Sequence, residues 1–339
     1  MDKSVSLNFS VAKVVAILAV VASHWFRGMN MWPLATIALF LFGFSSSFFT
    51  GRIYGHNVDI RAFWKKKLQR LGIRYWLILA ALALLALARG RDIFHWHTLV
   101  HVTGMSGILN LFGPSESALG RGLWFFTLLL FFYALYPVLA RMLVASSRTT
   151  AALAATAAGL LLMNELVRLG FSLWLTMLGF ILGIYVGVNR LKLQAVHVNA
   201  VLLGTPLLLA VTNGVFKLNV LNVPLLGLFA LALSLRLTIP GKPFSALRPL
   251  VALEACLLEI YLIHSYLFVH PTGVSAVDFA ISLALIVACA MLLNSAGNRL
   301  VEWVFTPKQA PAPVAAAAHS VAPAVVEDEE EKETIPHTA

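Results

Sequence analysis

Lys13 and His24 are two ionisable side chains in the apolar sequence FSVAKVVAILAVVASHWFRG near the N-terminus. A neutral imidazole can take a proton from a hydroxyl near neutral pH, and a lysine supplies a positive charge. Their spacing of eleven positions puts them on one face of an α-helix, roughly 16 Å apart along its axis. A charge at mid-membrane costs roughly 2.5–3.5 kcal/mol, so that face is expected to line a polar interior. The alternative is that Lys13 reaches the inner membrane interface and His24 the outer one.

Polar side chains also follow in and after the second apolar stretch. Its sequence FLFGFSSSFF contains Ser46 and Ser47, which could line a polar path or donate hydrogen bonds to backbone carbonyls. The next segment, RAFWKKKLQRLGIRYW, is basic and aromatic and predicts an amphipathic helix at the membrane interface. Its Lys67 and Arg70 suit either anionic lipids or a phosphate-bearing ligand on that side of the membrane.

A third group of ionisable residues lies in the sequence VALEACLLEIYLIHSYLF. Glu254 and Glu259 would point about 140° apart on a helix, so they do not share a face. Glu259 lies deeper in the stretch and needs a partner or a proton, for which Lys13 is one candidate. Tyr261 and His264 follow it towards the opposite membrane surface.

These residues belong to a chain made almost wholly of apolar segments. Of 339 residues, 60% are hydrophobic and 12% are charged, against about one quarter charged in soluble domains. Ten stretches are long enough to cross a bilayer: 8–27, 32–51, 72–89, 122–143, 150–167, 171–189, 196–214, 221–238, 249–269 and 276–303. We therefore predict an all-α fold, a polytopic membrane helical bundle with about ten transmembrane helices.

The distribution of basic residues predicts the orientation of this bundle. With the N-terminus in the cytoplasm, fourteen lysines and arginines lie in the inner loops and helix ends and six lie in the outer ones. The positive-inside rule favours that arrangement, which puts both termini in the cytoplasm. The net charge of +10 reflects mainly these loops, so we expect no nucleic acid as a partner.

The last part of the chain differs in composition from the rest. Residues 307–339 are rich in Ala and Pro and then strongly acidic, which is typical of a disordered tail. We expect two parts: a transmembrane domain over 1–306 and a disordered cytoplasmic tail over 307–339. The cysteine spacing predicts no metal site, and the three histidines of HWHTLVH are expected in an interfacial or ligand-facing loop.

Five motifs in order along residues 8–303 resemble acyltransferase family 3, integral membrane acyltransferases that modify cell-surface glycans. They are KVVAILAVVASH, FLFGFSSSFF, KKKLQRLGIRYW, GLWFFTLLLFFYALYP and EIYLIHSYLF. The sequence departs from the family pattern where Lys13 and Lys67 stand at positions commonly held by Arg, and Ser47 at one usually held by Gly. Lys keeps the charge but loses the planar fork of Arg.

The resemblance implies an O-acyltransferase of a bacterial-type inner (plasma) membrane, with several membrane passes. The donor would be a cytoplasmic acyl-CoA, most simply acetyl-CoA, with no tightly bound cofactor and no metal. The acceptor would be a hydroxyl of a cell-surface or lipid-linked glycan, and membrane lipids would be the other partners.

The resemblance also implies roles for individual residues. His24 would be the general base, with Lys13 as a second catalytic residue. Acyl-CoA would be bound by Lys67, Arg70, Ser46 and Ser47. The cavity or the acceptor path would be lined by Trp124, Glu259, Tyr261 and His264.

A different class of function remains open from the residues alone. A proton-coupled transporter or flippase of a sugar or lipid could use Lys13 and Glu259 as its ion-coupled path. Such a protein is expected to contain a pair of interrupted helices at mid-membrane, of which the sequence gives no clear sign.

Overall fold

The computed structural model describes residues 2–27, 29–108, 117–119, 122–167, 173–241 and 245–305. The chain divides into two compact units, Met1–Val304 and Phe305–Ala339, and the fold below is that of the first unit. The predicted tail over 307–339 lies outside the described residues, so the domain boundary stays a prediction.

The described regular structure is helical throughout, which confirms the all-α prediction. The α-helices are α1 (Lys3–Trp25), α2 (Trp32–Tyr54), α3 (Ile60–Ala88), α4 (Trp96–Val102), α5 (Trp124–Met142), α6 (Ser147–Leu166), α7 (Leu173–Asn189), α8 (Ala195–Gly214), α9 (Asn222–Thr238), α10 (Leu257–Ile263) and α11 (Ser275–Phe305). Three 3₁₀-helices are Asn219–Leu221, Ser245–Cys256 and His264–Tyr266.

Eight helical stretches among the described residues are long and apolar enough to cross a membrane. They are α1, α2, α3, α5, α6, α8, α11 and the stretch Asn219–Thr238, which includes α9. Helix α7 is also apolar but has only 17 residues. The protein is therefore a polytopic membrane helical bundle, while ten spans and two cytoplasmic termini remain predictions.

The basic segment and the third predicted span form one helix. Helix α3 begins after Asp59, whose side chain accepts a hydrogen bond from the N–H of Ala62 at 3.1 Å, and it continues for 29 residues. The N-terminal turns of α3 carry the lysines and arginines, and the later turns are apolar. The predicted interfacial helix is thus the first part of a longer helix, since nothing in the sequence between residues 60 and 88 stops it.

Helices α2 and α7 pack at close range through small residues. Small side chains recur at every fourth position on both helices: Gly43, Ser47 and Gly51 on α2, and Gly179, Gly183 and Gly187 on α7. A Cβ atom on Gly179 would lie 2.6 Å from the carbonyl oxygen of Phe40, and one on Gly183 would lie 2.4 Å from that of Phe44. Small residues at such a contact let helix backbones approach closely in a membrane.

An aromatic cluster joins α1 to α2 on another side of α2. The ring of Phe9 stacks on Phe48 at 5.4 Å and meets Phe49 edge-on at 5.2 Å. Phe9 and Phe44 are fully buried. This packing fixes α1, and therefore Lys13 and His24, against α2.

Residues 245–266 form three helical pieces in succession, here called the composite segment. A 3₁₀-helix over Ser245–Cys256 leads into α10, which is followed by the 3₁₀-turn His264–Tyr266. Pro249 lies in the first piece, where its missing N–H and fixed φ disfavour a regular α-helix. The ninth predicted span, 249–269, is therefore not one α-helix.

The composite segment runs parallel to α1. Lys13 contacts Glu254, and further along both elements His24 contacts His264. Eleven α-helical residues cover roughly 16 Å. Between Glu254 and His264, two 3₁₀ steps of about 2.0 Å and eight α-helical steps of about 1.5 Å cover the same length. The change of helix type thus brings both pairs into register.

Candidate active site

A cavity of about 730 Å³ lies where the C-terminal end of α1, the N-terminal ends of α2 and α5, and the end of α10 meet. This volume falls in the range of small-molecule sites. We call it the histidine cavity. Its lining is Val20, Ser23, His24, Arg27, Met29, Asn30, Met31, Trp32, Ala35, Thr36, Leu39, Gly122, Trp124, Tyr261, His264 and Ser265. Four predicted site residues are therefore brought together: His24, Trp124, Tyr261 and His264.

Two imidazole rings face each other in this cavity. The ring centroids of His24 and His264 lie 5.0 Å apart and the ring planes meet at 68°. His24 is half-buried in the last turn of α1, and His264 is buried at the start of a 3₁₀-turn. The cavity therefore contains a partly exposed imidazole, His24, beside a buried one, His264.

Hydrogen bonding fixes the tautomer of His264. Its Nδ1 lies 2.6 Å from the carbonyl oxygen of Tyr261. Since a carbonyl oxygen only accepts, Nδ1 carries the hydrogen and Nε2 keeps a lone pair. Nε2 is buried and has no hydrogen-bond partner among the described residues.

Arg27 adds a positive charge to the cavity wall. Its Nε donates a hydrogen bond to the carbonyl oxygen of His24 at 3.2 Å, which ties the end of α1 to the following loop.

The ring of Tyr261 lies 4.8 Å from that of Phe125. Tyr261, which lines the cavity, is thus packed against α5.

Lys13 lies away from the cavity, in an ion pair with Glu254. Its Nζ is 2.5 Å from Oε1 of Glu254 and 5.6 Å from the ring centroid of Phe49. Lys13, one candidate partner for Glu259, is paired with Glu254 instead. The 3₁₀ piece of the composite segment brings Glu254 beside α1, whereas Glu259 on α10 faces α3.

Glu259 is a buried carboxylate whose nearest cation is Arg74 on α3. Oε1 lies 3.6 Å from Nη1 of Arg74, and neither carboxylate oxygen has a hydrogen bond among the described residues. Arg74 also donates to Asn298 on α11 and to the carbonyl oxygen of Ala255. Glu259 does not line the histidine cavity, so the structure gives it a place in the contact between α3, α10 and α11.

A second polar group lies around Lys67 and includes a residue that the sequence analysis missed. Nζ of Lys67 lies 3.8 Å from the ring centroid of Tyr133, and the hydroxyl of Tyr133 lies 3.0 Å from Oγ of Ser46. We call Lys67, Tyr133 and Ser46 the Lys67 cluster. Arg70 is exposed one turn further along α3. The sequence gives little sign of this role, because Tyr133 is one of two tyrosines in the mostly apolar helix α5.

Ser47 has a local structural role. It is fully buried at the contact of α2 with α7, and its hydroxyl donates to the carbonyl oxygens of Gly43 and Phe44, each at 3.0 Å. Because its side chain has no exposed surface, Ser47 cannot contact a ligand in this conformation. Its neighbour Ser46 is the serine of this motif that reaches another helix through its side chain.

The three histidines, expected in a loop, belong to helix α4 instead: His95 caps its N-terminus, and His97 and His101 lie on the helix, which packs against α3. Tyr75 donates a hydrogen bond to the carbonyl oxygen of His101 at 2.6 Å, and Trp76 donates to that of Val102 at 3.0 Å. Burial, with a smaller contribution from His97, lowers the pKa of His101 to about 4. Among the described residues, no group of three or more His, Cys, Asp or Glu side chains could hold a metal ion.

Comparison with known proteins identifies the family of the chain. A family model described as an acyltransferase domain matches residues 7–296. Searches of curated proteins and of solved structures found no significant match. The matched range includes every residue of the histidine cavity and of the Lys67 cluster. The chain belongs to acyltransferase family 3 and is an integral, multi-pass membrane acyltransferase.

Proposed function

We propose that this acyltransferase moves an acyl group, most simply acetyl, from cytoplasmic acyl-CoA to a hydroxyl of a cell-surface or lipid-linked glycan. The observation that carries the proposal is the half-buried His24 in a cavity large enough for a sugar unit. An imidazole in such a place suits general-base chemistry on a hydroxyl.

His24 is the general base in this proposal. It takes the proton of the acceptor hydroxyl as the hydroxyl oxygen attacks the thioester carbonyl carbon. A carbon–oxygen bond forms, the carbon–sulfur bond breaks, and the proton passes from His24 to the leaving CoA sulfur. The guanidinium of Arg27 is the cation of the cavity wall that suits the oxyanion formed on the carbonyl oxygen.

The Lys67 cluster and Arg70 form the proposed donor site. Lysine and arginine suit the phosphates of CoA, and Tyr133 places the ammonium group of Lys67 by holding it over an aromatic face. Ser46 is the polar group of α2 next to this cation. Lys13 acts in this proposal through Glu254, by holding the composite segment beside α1.

The transporter alternative has less support. The described residues contain one composite segment, whereas an inverted-repeat transporter has a matching pair of broken helices. Membership of an acyltransferase family favours acyl transfer over transport.

The proposal is tested by following radiolabelled acetyl from acetyl-CoA into cell-envelope glycan in native membranes. We expect wild-type membranes to transfer label and His24→Ala to reduce the rate at least about a hundredfold, since general-base catalysis contributes roughly 10²–10⁴. His197→Ala is the matched control, because His197 is exposed on α8 and outside the cavity.

Equal rates for wild type and His24→Ala at equal protein levels would contradict the base assignment. Absence of any transfer by wild type, together with flux of a sugar or lipid substrate, would favour the transporter.

A further inference from the structure

A base at the position of His24 needs a partner on its second ring nitrogen. When one nitrogen takes the hydroxyl proton, the ring becomes an imidazolium with two N–H groups. One holds the new proton, and the other needs an acceptor because unpaired charge is costly in an apolar region. In many hydrolases, a carboxylate fills this position and orients the imidazole.

The described lining of the histidine cavity contains no carboxylate. Glu254 is paired with Lys13, and Glu259 lies near Arg74 away from the cavity. His24 therefore has no carboxylate partner among the described lining residues.

His264 has the required acceptor. Its Nδ1–H is already engaged by the carbonyl oxygen of Tyr261, which leaves the lone pair of Nε2. That nitrogen is buried without a partner among the described residues, in a ring 5.0 Å from the ring of His24.

We propose that His264 is the positioning residue of His24, with Nε2 of His264 accepting the N–H of His24 that does not face the substrate. This contact fixes which nitrogen of His24 faces the hydroxyl and stabilises the imidazolium. His264 keeps its own proton on Nδ1 throughout, so no proton moves between the two histidines. The inference rests on the proposed function.

Contacts within and around α10 fix the position and tautomer of His264. The Tyr261 carbonyl that fixes its tautomer is three residues earlier on α10. Helix α10 is itself held against α3, where Glu259 lies 3.6 Å from Arg74. The ring of Phe268 lies 6.0 Å from that of His264 on another side.

A matched pair of variants separates acceptor chemistry from packing. Gln and Met have similar length and volume, but only Gln carries an oxygen that can accept the His24 N–H. In the acetyl-transfer assay we expect His264→Met to lower kcat at least about tenfold, by analogy with the roughly 10–100-fold losses seen when the partner that orients a metal-ligating imidazole is removed. We expect His264→Gln to recover most of that loss, and the KM for acetyl-CoA to stay within about twofold in both.

The control variant is His270→Leu. His270 stacks on Trp25 at 4.6 Å, near the same end of α1, but does not line the histidine cavity. This variant is expected to keep wild-type kcat.

Equal kcat values for His264→Met and His264→Gln would overturn the inference, whether both are active or both inactive. In that case the loss in His24→Ala would still support the proposed function. If wild-type membranes transfer no acetyl, the proposed function fails, and this inference fails with it.

Discussion

The ammonium group of Lys67 is positioned by the aromatic ring of Tyr133. Its Nζ lies over Tyr133 at 3.8 Å and 5.5 Å from the ring centroid of Phe63. Such a contact orients the side chain without neutralising its charge, so the cation stays available for an anionic ligand. This separates Lys67 from the more exposed Lys65 on the same turns of α3.

We expect Lys67→Ala to raise the KM for acetyl-CoA about tenfold or more. A hydrogen bond to a charged group contributes roughly 1.5–3 kcal/mol, and its loss weakens donor binding by a corresponding factor. The value of kcat at saturating acetyl-CoA should change less. Lys65→Ala is the control, and equal KM values for the two variants would remove Lys67 from the donor site.

At the residue scale, the sequence predicted which residues belong to the site better than it predicted which residues they contact. His24, Trp124, Tyr261 and His264 were predicted as site residues from motifs, and they line one cavity. The partner of Lys13 could not be predicted, because the residue that lies beside it depends on how much of the composite segment is a 3₁₀-helix. A regular α-helix was assumed there.

At the element scale, the contact of α2 with α7 depends on three small residues per helix. A methyl group on Gly183 would lie 2.1 Å from Oγ of Ser47 and 2.4 Å from the carbonyl oxygen of Phe44. The serine could rotate, but the backbone carbonyl cannot move unless the helices separate. The contact therefore limits position 183 to glycine.

We predict that Gly183→Ala destabilises the bundle by about 1–3 kcal/mol, the usual cost of overpacking a tight contact. Thermal unfolding in detergent measures the effect. Gly159→Ala on α6 is the control, since a Cβ there meets nothing within 4 Å. An unchanged melting temperature for Gly183→Ala would show that α2 and α7 are not held at this distance.

The helices were predicted well, with one exception. Nine of the ten predicted stretches overlap a described α-helix of 17 residues or more, because the length of an apolar stretch is easily read from a sequence. The remaining stretch, 249–269, is equally apolar but carries Pro249 at its start and divides into three helical pieces. The four-residue spacing of small residues in α2 and α7 was present in the sequence, but only the structure shows that the two rows meet.

At the scale of the whole molecule, His101 links stability to pH. It lies outside the eight membrane-crossing stretches, is buried, and has a pKa lowered to about 4. In the unfolded chain the same imidazole titrates near 6.5. Between these values the unfolded state binds more protons than the native state, so stability falls as the pH falls through this window.

We therefore expect the melting temperature of the detergent-solubilised protein to decrease from about pH 6.5 towards pH 4. His101→Leu should flatten part of this slope, because the variant has no imidazole to titrate. His56→Leu, at an exposed position, should keep the wild-type slope. A slope unchanged by His101→Leu would mean that other groups cause the pH dependence.

The parallel contact between α1 and the composite segment joins residues that are far apart in the chain. Lys13 and Glu254 are separated by 241 positions, and His24 and His264 by nearly the same number. During synthesis, α1 enters the membrane long before its partner exists. His24 therefore has no neighbouring imidazole until the ribosome has passed His264, and the proposed catalytic site is among the last features of the bundle to form.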